Sequence, residues 1–223
     1  MLITPNLVGA APAPLLTLDE AKAQLNVQGI GDFDRRIGAL IAAATTFVEN
    51  YSGRALLTRT YHGFMDHWPV SPRHVGFRPD MGGAGPWPET GRWRTLRYIE
   101  LPRPPLQAVA FVKTYDDDDV ATAMDPATYY VDTTSTVGRI VRRREVTWPQ
   151  ACRTADAIEI QWTCGYGETA DDVPEPFKQA ALLLVSHWFV NRDAVVGVDN
   201  RDSSTPLPLG VDSLLAPYCV EFF

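Results

Sequence analysis

The stretch that decides the fold is Pro174 to Arg192, PEPFKQAALLLVSHWFVNR. Phe177, Ala180, Ala181, Leu184, Trp188 and Asn191 recur at helical spacing, which predicts a helix with a core-facing stripe. Val-Pro-Glu-Pro supplies the start signal, because a first-turn proline gives up an N–H that has no intrahelical partner anyway. Leu182, Leu183, Val185, Phe189 and Val190 widen the stripe beyond what one packed neighbour covers, so several elements should surround this central helix.

Its best partner lies near the start of the chain. Ile37, Leu40, Ile41, Ala44, Phe47, Val48 and Tyr51 keep the same period, with Asp32 or Asp34 as the cap and Gly53 as the stop. Thr17-Leu18-Asp19-Glu20 has the form of a capping box and predicts a shorter helix before it, with Leu18, Ala21 and Leu25 as its stripe. The Pro/Ala-rich residues up to Leu16 have no periodicity and read as an extended arm.

From Leu57 the period changes to two. TRTYHGFMDHW, LRYIELP, LQAVAFVKTY, TYYVD, GRIV and AIEIQWTCGYG read as short strands of an antiparallel sheet. The stretch from Pro69 to Thr95 interrupts them and is too long for an ordinary connection, so it reads as a protruding or partly disordered loop. After the central helix, Val195 to Thr205 reads as a polar linker and VDSLLAPY as a short helix, followed by the apolar tail CVEFF. The expected class is α+β: a helical bundle from N-terminal and C-terminal helices with an inserted antiparallel β region. The divisions are an arm at 1–16, N-terminal helices at 17–56, a β-rich insertion at 57–167 holding the 69–95 loop, C-terminal helices at 168–218 and a tail at 219–223, all in one structural domain.

Composition excludes several functions. The chain has 223 residues, 45% of them hydrophobic, with net charge -7 and pI near 5.1. That balance argues against wrapping nucleic acid, which depends on clustered Lys and Arg. Cys152, Cys164 and Cys219 fit neither a disulfide framework nor a zinc site, and point to folding in a reducing cytosol. No stretch reaches the roughly 20 apolar residues of a membrane span, and no signal peptide is read at the N-terminus.

The candidate chemical groups read as structural. Asp116, Asp117, Asp118 and Asp119 lack the glycine turn and later bidentate carboxylate of a calcium loop, and fit a solvated hairpin tip. The four histidines make no metal-ligand pair; His187 reads as a core or interface residue. Cys164, beside Gly165-Tyr166-Gly167, is the one candidate nucleophile with a glycine context, yet it sits at the end of a buried strand. Arg142, Arg143 and Arg144, like Arg92-Trp93-Arg94, fit an ionic interface or a solvated face. No cofactor, metal or catalytic set is expected. A β-rich ligand- or protein-binding module, with Trp87 and Trp93 on a concave patch, and a Cys-dependent enzyme are the alternatives. Apolar ends instead favour partners: Leu214, Leu215, Tyr218, Val220, Phe222 and Phe223 are candidate contact residues, and arms or tails crossing to neighbours are a common way to build rings.

The order of several motifs carries a resemblance. TLDEAKAQLNV, LIAAATTFVENYSGRAL with TRTY, a first WP, LPRPPLQAV before an acidic turn, Tyr-Tyr-Val-Asp, a second WP, CGYG, VPEPFKQAALLLVSHWFVNRD and LPLGVDSLLAPY follow one another from about Leu16 to Tyr218. In this order and spacing the chain resembles the head-tail connector, or adaptor, family of long-tailed phages and gene transfer agents. The arm and the Pro69 to Thr95 stretch fall outside the likeness, and the acidic turn lacks an expected glycine near its end. The resemblance implies a non-enzymatic virion protein made in the bacterial host cytoplasm. It implies a twelve-fold ring beneath the portal protein, meeting a stopper or tail-completion protein, with DNA passing through the lumen. In that setting Asp116 to Asp119 are candidates for the lumen or a rim. His187, Trp188 and Arg192, with Arg142 to Arg144, are candidates for contacts between subunits.

Overall fold

The computed structural model describes residues 3–9, 13–71, 94–150, 153–191 and 209–220. It is a mixed α+β structure with two apolar cores. The first is helical. Helices α1 (Leu18–Leu25), α2 (Asp34–Ser52), α3 (Glu175–Val190) and α4 (Leu209–Leu215) pack around one cluster that includes Ile37, Ile41, Val48, Phe177, Leu184 and Leu215, all buried. The central helix of the sequence reading is α3, packed against both α2 and α4. Its stripe buries Phe177, Ala180, Ala181, Leu184 and Val185, whereas Val190 at its end is 75% exposed.

The helix ends follow local chemistry with one exception. At α1 the Thr17 side chain accepts from the Glu20 N–H at 3.2 Å and the Glu20 carboxylate accepts from the Thr17 N–H at 2.7 Å. Helix α2 stops at Gly53, φ 70°, a left-handed conformation that glycine adopts without strain. Its start corrects the expected aspartate cap: Phe33 is the N-cap and no side chain caps it. Asp34 lies inside the first turn and pairs instead with Lys22 of α1 at 2.5 Å.

The β region is three sheets, not the one expected. The largest has strand order β1 (Asn6–Val8), β2 (Arg59–Met65), β10 (Ile158–Cys164), β6 (Leu106–Tyr115), β7 (Ala121–Ala123), with every pair antiparallel. β5 (Tyr98–Glu100), β9 (Arg139–Arg142) and β8 (Tyr129–Asp132) form the second. β3 (Val70–Ser71) and β4 (Arg94–Thr95) form the third. The arm is not free over its whole length: β1 pairs with β2 of the same chain, and Ile3 is buried in the space left by the missing side chain of Gly63. Trp162, Ile160, Ile158, Val112, Met65 and Ile140 are central to this second core.

Most of the expected long loop, 72–93, lies outside the described residues, as do the polar linker and the end of the tail. The base of the loop is described. Trp68 and Trp148, each followed by a proline, stack at 4.4 Å between ring centroids and 11° between planes. Their indole N–H groups donate to the Pro149 and Leu96 carbonyls at 2.6 and 2.8 Å, and the Leu96 N–H donates to the Pro69 carbonyl at 2.7 Å.

The two cores meet along 52–58. Leu56 and Leu57 belong to the helical core and Ala55 to the sheet core. Backbone N–H groups of Ala55 and Thr58 donate to Pro104 and Gly167, and Tyr166 donates to Leu56. Glu49, near the end of α2, is buried and accepts from the Leu56 N–H at 3.3 Å while its other oxygen pairs with Arg59 of β2 at 2.9 Å. Arg103 donates to the Glu49 carbonyl at 3.0 Å and to the Asn50 side chain at 2.7 Å, a favourable place for a cation at a helix C-terminus. Replacing Glu49 by Ala strands the Arg59 guanidinium at the seam. Urea unfolding of Glu49→Ala, followed by tryptophan fluorescence and by helix circular dichroism, should show a loss of about 3 kcal/mol on both probes. A loss confined to one probe would show that the seam does not couple the cores.

Candidate assembly surfaces

The candidate nucleophile is closed off by its surroundings. Cys164 is fully buried at the end of β10, its Sγ lies 3.8 Å from the Pro102 carbonyl, and burial pushes its thiol up to about 12. At pH 7 it is a neutral thiol, the wrong species for attack. Gly165 beside it has φ 132° and sits against the backbone of Leu57, which accounts for the glycine by close approach of two chain segments.

Two cavities among the described residues gather no convergent chemistry. One of about 220 Å³ between the β6–β7 hairpin and 146–149 has Asp125 as its single titratable lining residue, and that carboxylate caps the following 3-10 turn. An open cleft of about 490 Å³ between α1 and α3 is lined by Glu20, Glu175 and Lys178. Glu20 is engaged in the capping box, and Glu175 pairs with Lys178 at 3.0 Å. Among the described residues no group of three His, Cys, Asp or Glu is placed to hold a metal ion.

One titratable cluster does form, on the outer face of the large sheet, and sequence reading missed it because its members come from three strands. Glu159 of β10 accepts hydrogen bonds from Tyr115 and, at 2.9 Å, from the His62 ring, with Lys113 Nζ at 3.8 Å. Burial alone pushes Glu159 up; the Tyr115 and His62 hydrogen bonds and the Lys113 charge outweigh it and hold the carboxyl below its ordinary value. The alternation in AIEIQWTC was the available signal, since it puts Glu159 opposite the core-facing Ile158 and Ile160.

The sequence-predicted surface residues fall into separate regions. Asp116 to Asp119 are exposed and form the tip of the β6–β7 hairpin. Asp116 Oδ1 accepts from the N–H groups of Asp118 and Val120 at 3.0 and 2.8 Å, and Asp119 occupies the left-handed region at φ 61°, where a glycine would be free of strain. His187 is exposed, with its Nδ1 3.1 Å from the Asn191 side-chain amide. Trp188 is half-buried, edge-on to Phe47 at 6.1 Å. Arg142 is half-buried with its Nε unpaired among the described residues, whereas Arg143 and Arg144 are exposed. Leu215 is in the helical core and Leu214 beside it is half-buried. Tyr218 packs on Phe177 at 4.8 Å and its carbonyl accepts from Arg54 at 2.6 Å; the Val220 N–H donates to the Ser52 carbonyl at 3.0 Å. The chain is therefore tied to its own helical core as far as Val220. Arg192, Phe222 and Phe223 lie outside the described residues.

With this geometry, the chain can be set beside known proteins. No family model matches it, and no curated protein does. Solved structures do. A chain in the neck of an empty gene transfer agent particle, computed with C6 symmetry, superposes with a TM-score of 0.72 at 20% identity, covering 99% of this chain and 97% of that one. The likeness is one of fold. A chain in the virion of a native gene transfer agent particle gives 0.71 at 18% identity, covering 98% and 97%. A chain in the neck of a native particle computed with C12 symmetry gives 0.66 at 21%, covering 99% and 97%.

Two outcomes check the chemistry of these groups. Alkylation of the native protein with iodoacetamide, mapped by mass spectrometry, should leave Cys164 unmodified until denaturant is added; modification at native pH 7 would contradict its burial. Because the folded pKa of Glu159 lies below the ordinary 4.5, its contribution to stability is full above that value and is lost as pH falls through the lowered one. Glu159→Gln should therefore be less stable than wild type at pH 7, with the gap closing below pH 4.5 in urea titrations; a pH-independent gap would count against the network.

Proposed function

We propose that the protein is a structural subunit of the neck of a phage-like particle, either an infectious virion or a gene transfer agent. In this reading it is the head-tail connector or adaptor. Copies assemble into a ring of twelve beneath the portal protein, meet a stopper or tail-completion protein on the other side, and enclose a lumen through which DNA passes without sequence-specific contact. The observation that carries the reading is fold agreement over nearly the whole of both chains with subunits of gene transfer agent necks. The order of motifs along the sequence supports it independently, and the net charge of -7 suits a conduit that must not hold DNA.

Contacts are assigned within that reading. The C-terminal end, with Leu214, Tyr218, Val220, Phe222 and Phe223, reaches the portal or a neighbouring subunit, and Leu215 anchors it from inside the core. His187 and Trp188 near the end of α3, Arg192 beyond it in the sequence, and Arg142 to Arg144 at and after the end of β9 are assigned to contacts between subunits. Asp116 to Asp119 stand at a rim of the ring. A truncation must respect the packing of Tyr218 on Phe177, so the informative variant ends at Val220. That variant should keep the wild-type melting curve and fail to join heads to tails. Native mass spectrometry of the full chain, alone and with the particle's portal protein, should show a twelve-fold species. A strict monomer under both conditions, or normal joining by the truncated chain, would count against the reading.

A further inference from the structure

We propose that the outer face of the β5-β9-β8 sheet seats the β6–β7 hairpin tip of a second copy of this chain, so that neighbours meet head to tail; the inference rests on the ring reading above. The seat begins with register. Tyr98 and Tyr130 both stand opposite Val141, which aligns the three in one cross-strand row. Ile99 and Ile140 point the other way, into the core, so the row faces outward, and Tyr130 is 48% exposed. Arginines close one end of it. The Arg142 N–H donates to the Arg97 carbonyl at 2.8 Å, which brings Arg97 beside the turn that carries Arg143 and Arg144. Arg97, Arg143 and Arg144 are exposed and have no ion pair among the described residues, while Arg139 at the other end is already held by Asp132 at 2.6 Å. Glu145 is the one acid in the arginine turn, which leaves this end positive. Exposed tyrosine and arginine around an apolar centre is the composition of an interface hot spot.

The occupant is complementary in both respects. Val120, 56% exposed, stands beside Asp117 and Asp118, which are exposed and have no ion pair among the described residues. The tip is already ordered by Asp116, so seating it freezes little backbone. Among the described residues of its own chain the tip has one cation, Arg153, whose Nε lies 3.4 Å from Asp119 Oδ1, and Asp117 and Asp118 beside it are left for a partner. Two complementary patches at different places on one chain make a heterologous contact, the kind that closes into a ring. Copies that each carry -7 repel one another, and a local pairing of opposite charge offsets that repulsion. The rim acids thus face the neighbouring subunit and not the lumen.

A charge-swap cycle tests it on the full chain, using native mass spectrometry and sedimentation at low and high salt, with the portal protein if the wild type needs it. Arg143→Glu/Arg144→Glu and Asp117→Lys/Asp118→Lys should each weaken assembly on the order of 100-fold, because like charges then face each other, and should keep wild-type melting since all four side chains are exposed. The combined variant should assemble again. Wild-type assembly by either pair, or no recovery in the combination, overturns the contact. Loss of binding to a double-stranded oligonucleotide in the arginine pair, with its ring intact, overturns it in favour of a DNA surface. A wild type that never assembles overturns the ring reading itself, and this contact with it.

Discussion

The structure depends on joining two apolar cores that different periodicities build. Helical stripes of period 3.6 and strands of period 2 cannot share one continuous surface, so the chain needs a seam where backbone groups of both are satisfied. Residues 52–58 supply it, and Glu49 is its pivot. Burial pushes this carboxyl up, opposed by Arg59, the Leu56 N–H and Arg103. A charge so placed adds little net stability but punishes every arrangement in which α2 and β2 are misaligned.

The strands around the seam are shaped to reach it. Pairing of β10 with β6 slips at Gln161/Trp162 and again at Thr163/Cys164, so β6 has one more residue than its partner at each place. The second slip leaves Gln107 unpaired in the ladder and turns its amide toward the Thr58 hydroxyl at 2.9 Å and the Gly165 carbonyl at 2.8 Å. Trp162, fully buried, donates to the Pro102 carbonyl at 3.2 Å, which fixes the approach of the 102–105 segment from the other side.

Sequence reading reached the long periodic elements and lost the short nonlocal ones, for identifiable reasons. LQAVAFVKTY matches β6 residue for residue, and the α2 stripe ends at Gly53 as its glycine requires. Asn6–Val8 and Ala121–Ala123 were invisible because both are exposed edge strands of three residues, defined only by the strand they pair with. The division into separate sheets depends on register across distant segments, which no local pattern carries. At the candidate surfaces the acidic turn was legible from its aspartates. The Tyr98–Val141–Tyr130 row was present in the alternation of RYIE and YYVD, but its meaning required knowing that both strands flank β9.

The stacked Trp68 and Trp148 change what the chain between β3 and β4 can be. Their rings and the three hydrogen bonds around them, with the β3–β4 pairing next to them, hold Pro69 and Leu96 side by side. Such a closed doorway fixes the entry and exit points, so the intervening length enters the free energy only through a slowly growing logarithm. The spacing between Ser71 and Arg94 can therefore change at little cost in stability while the two cores stay as they are.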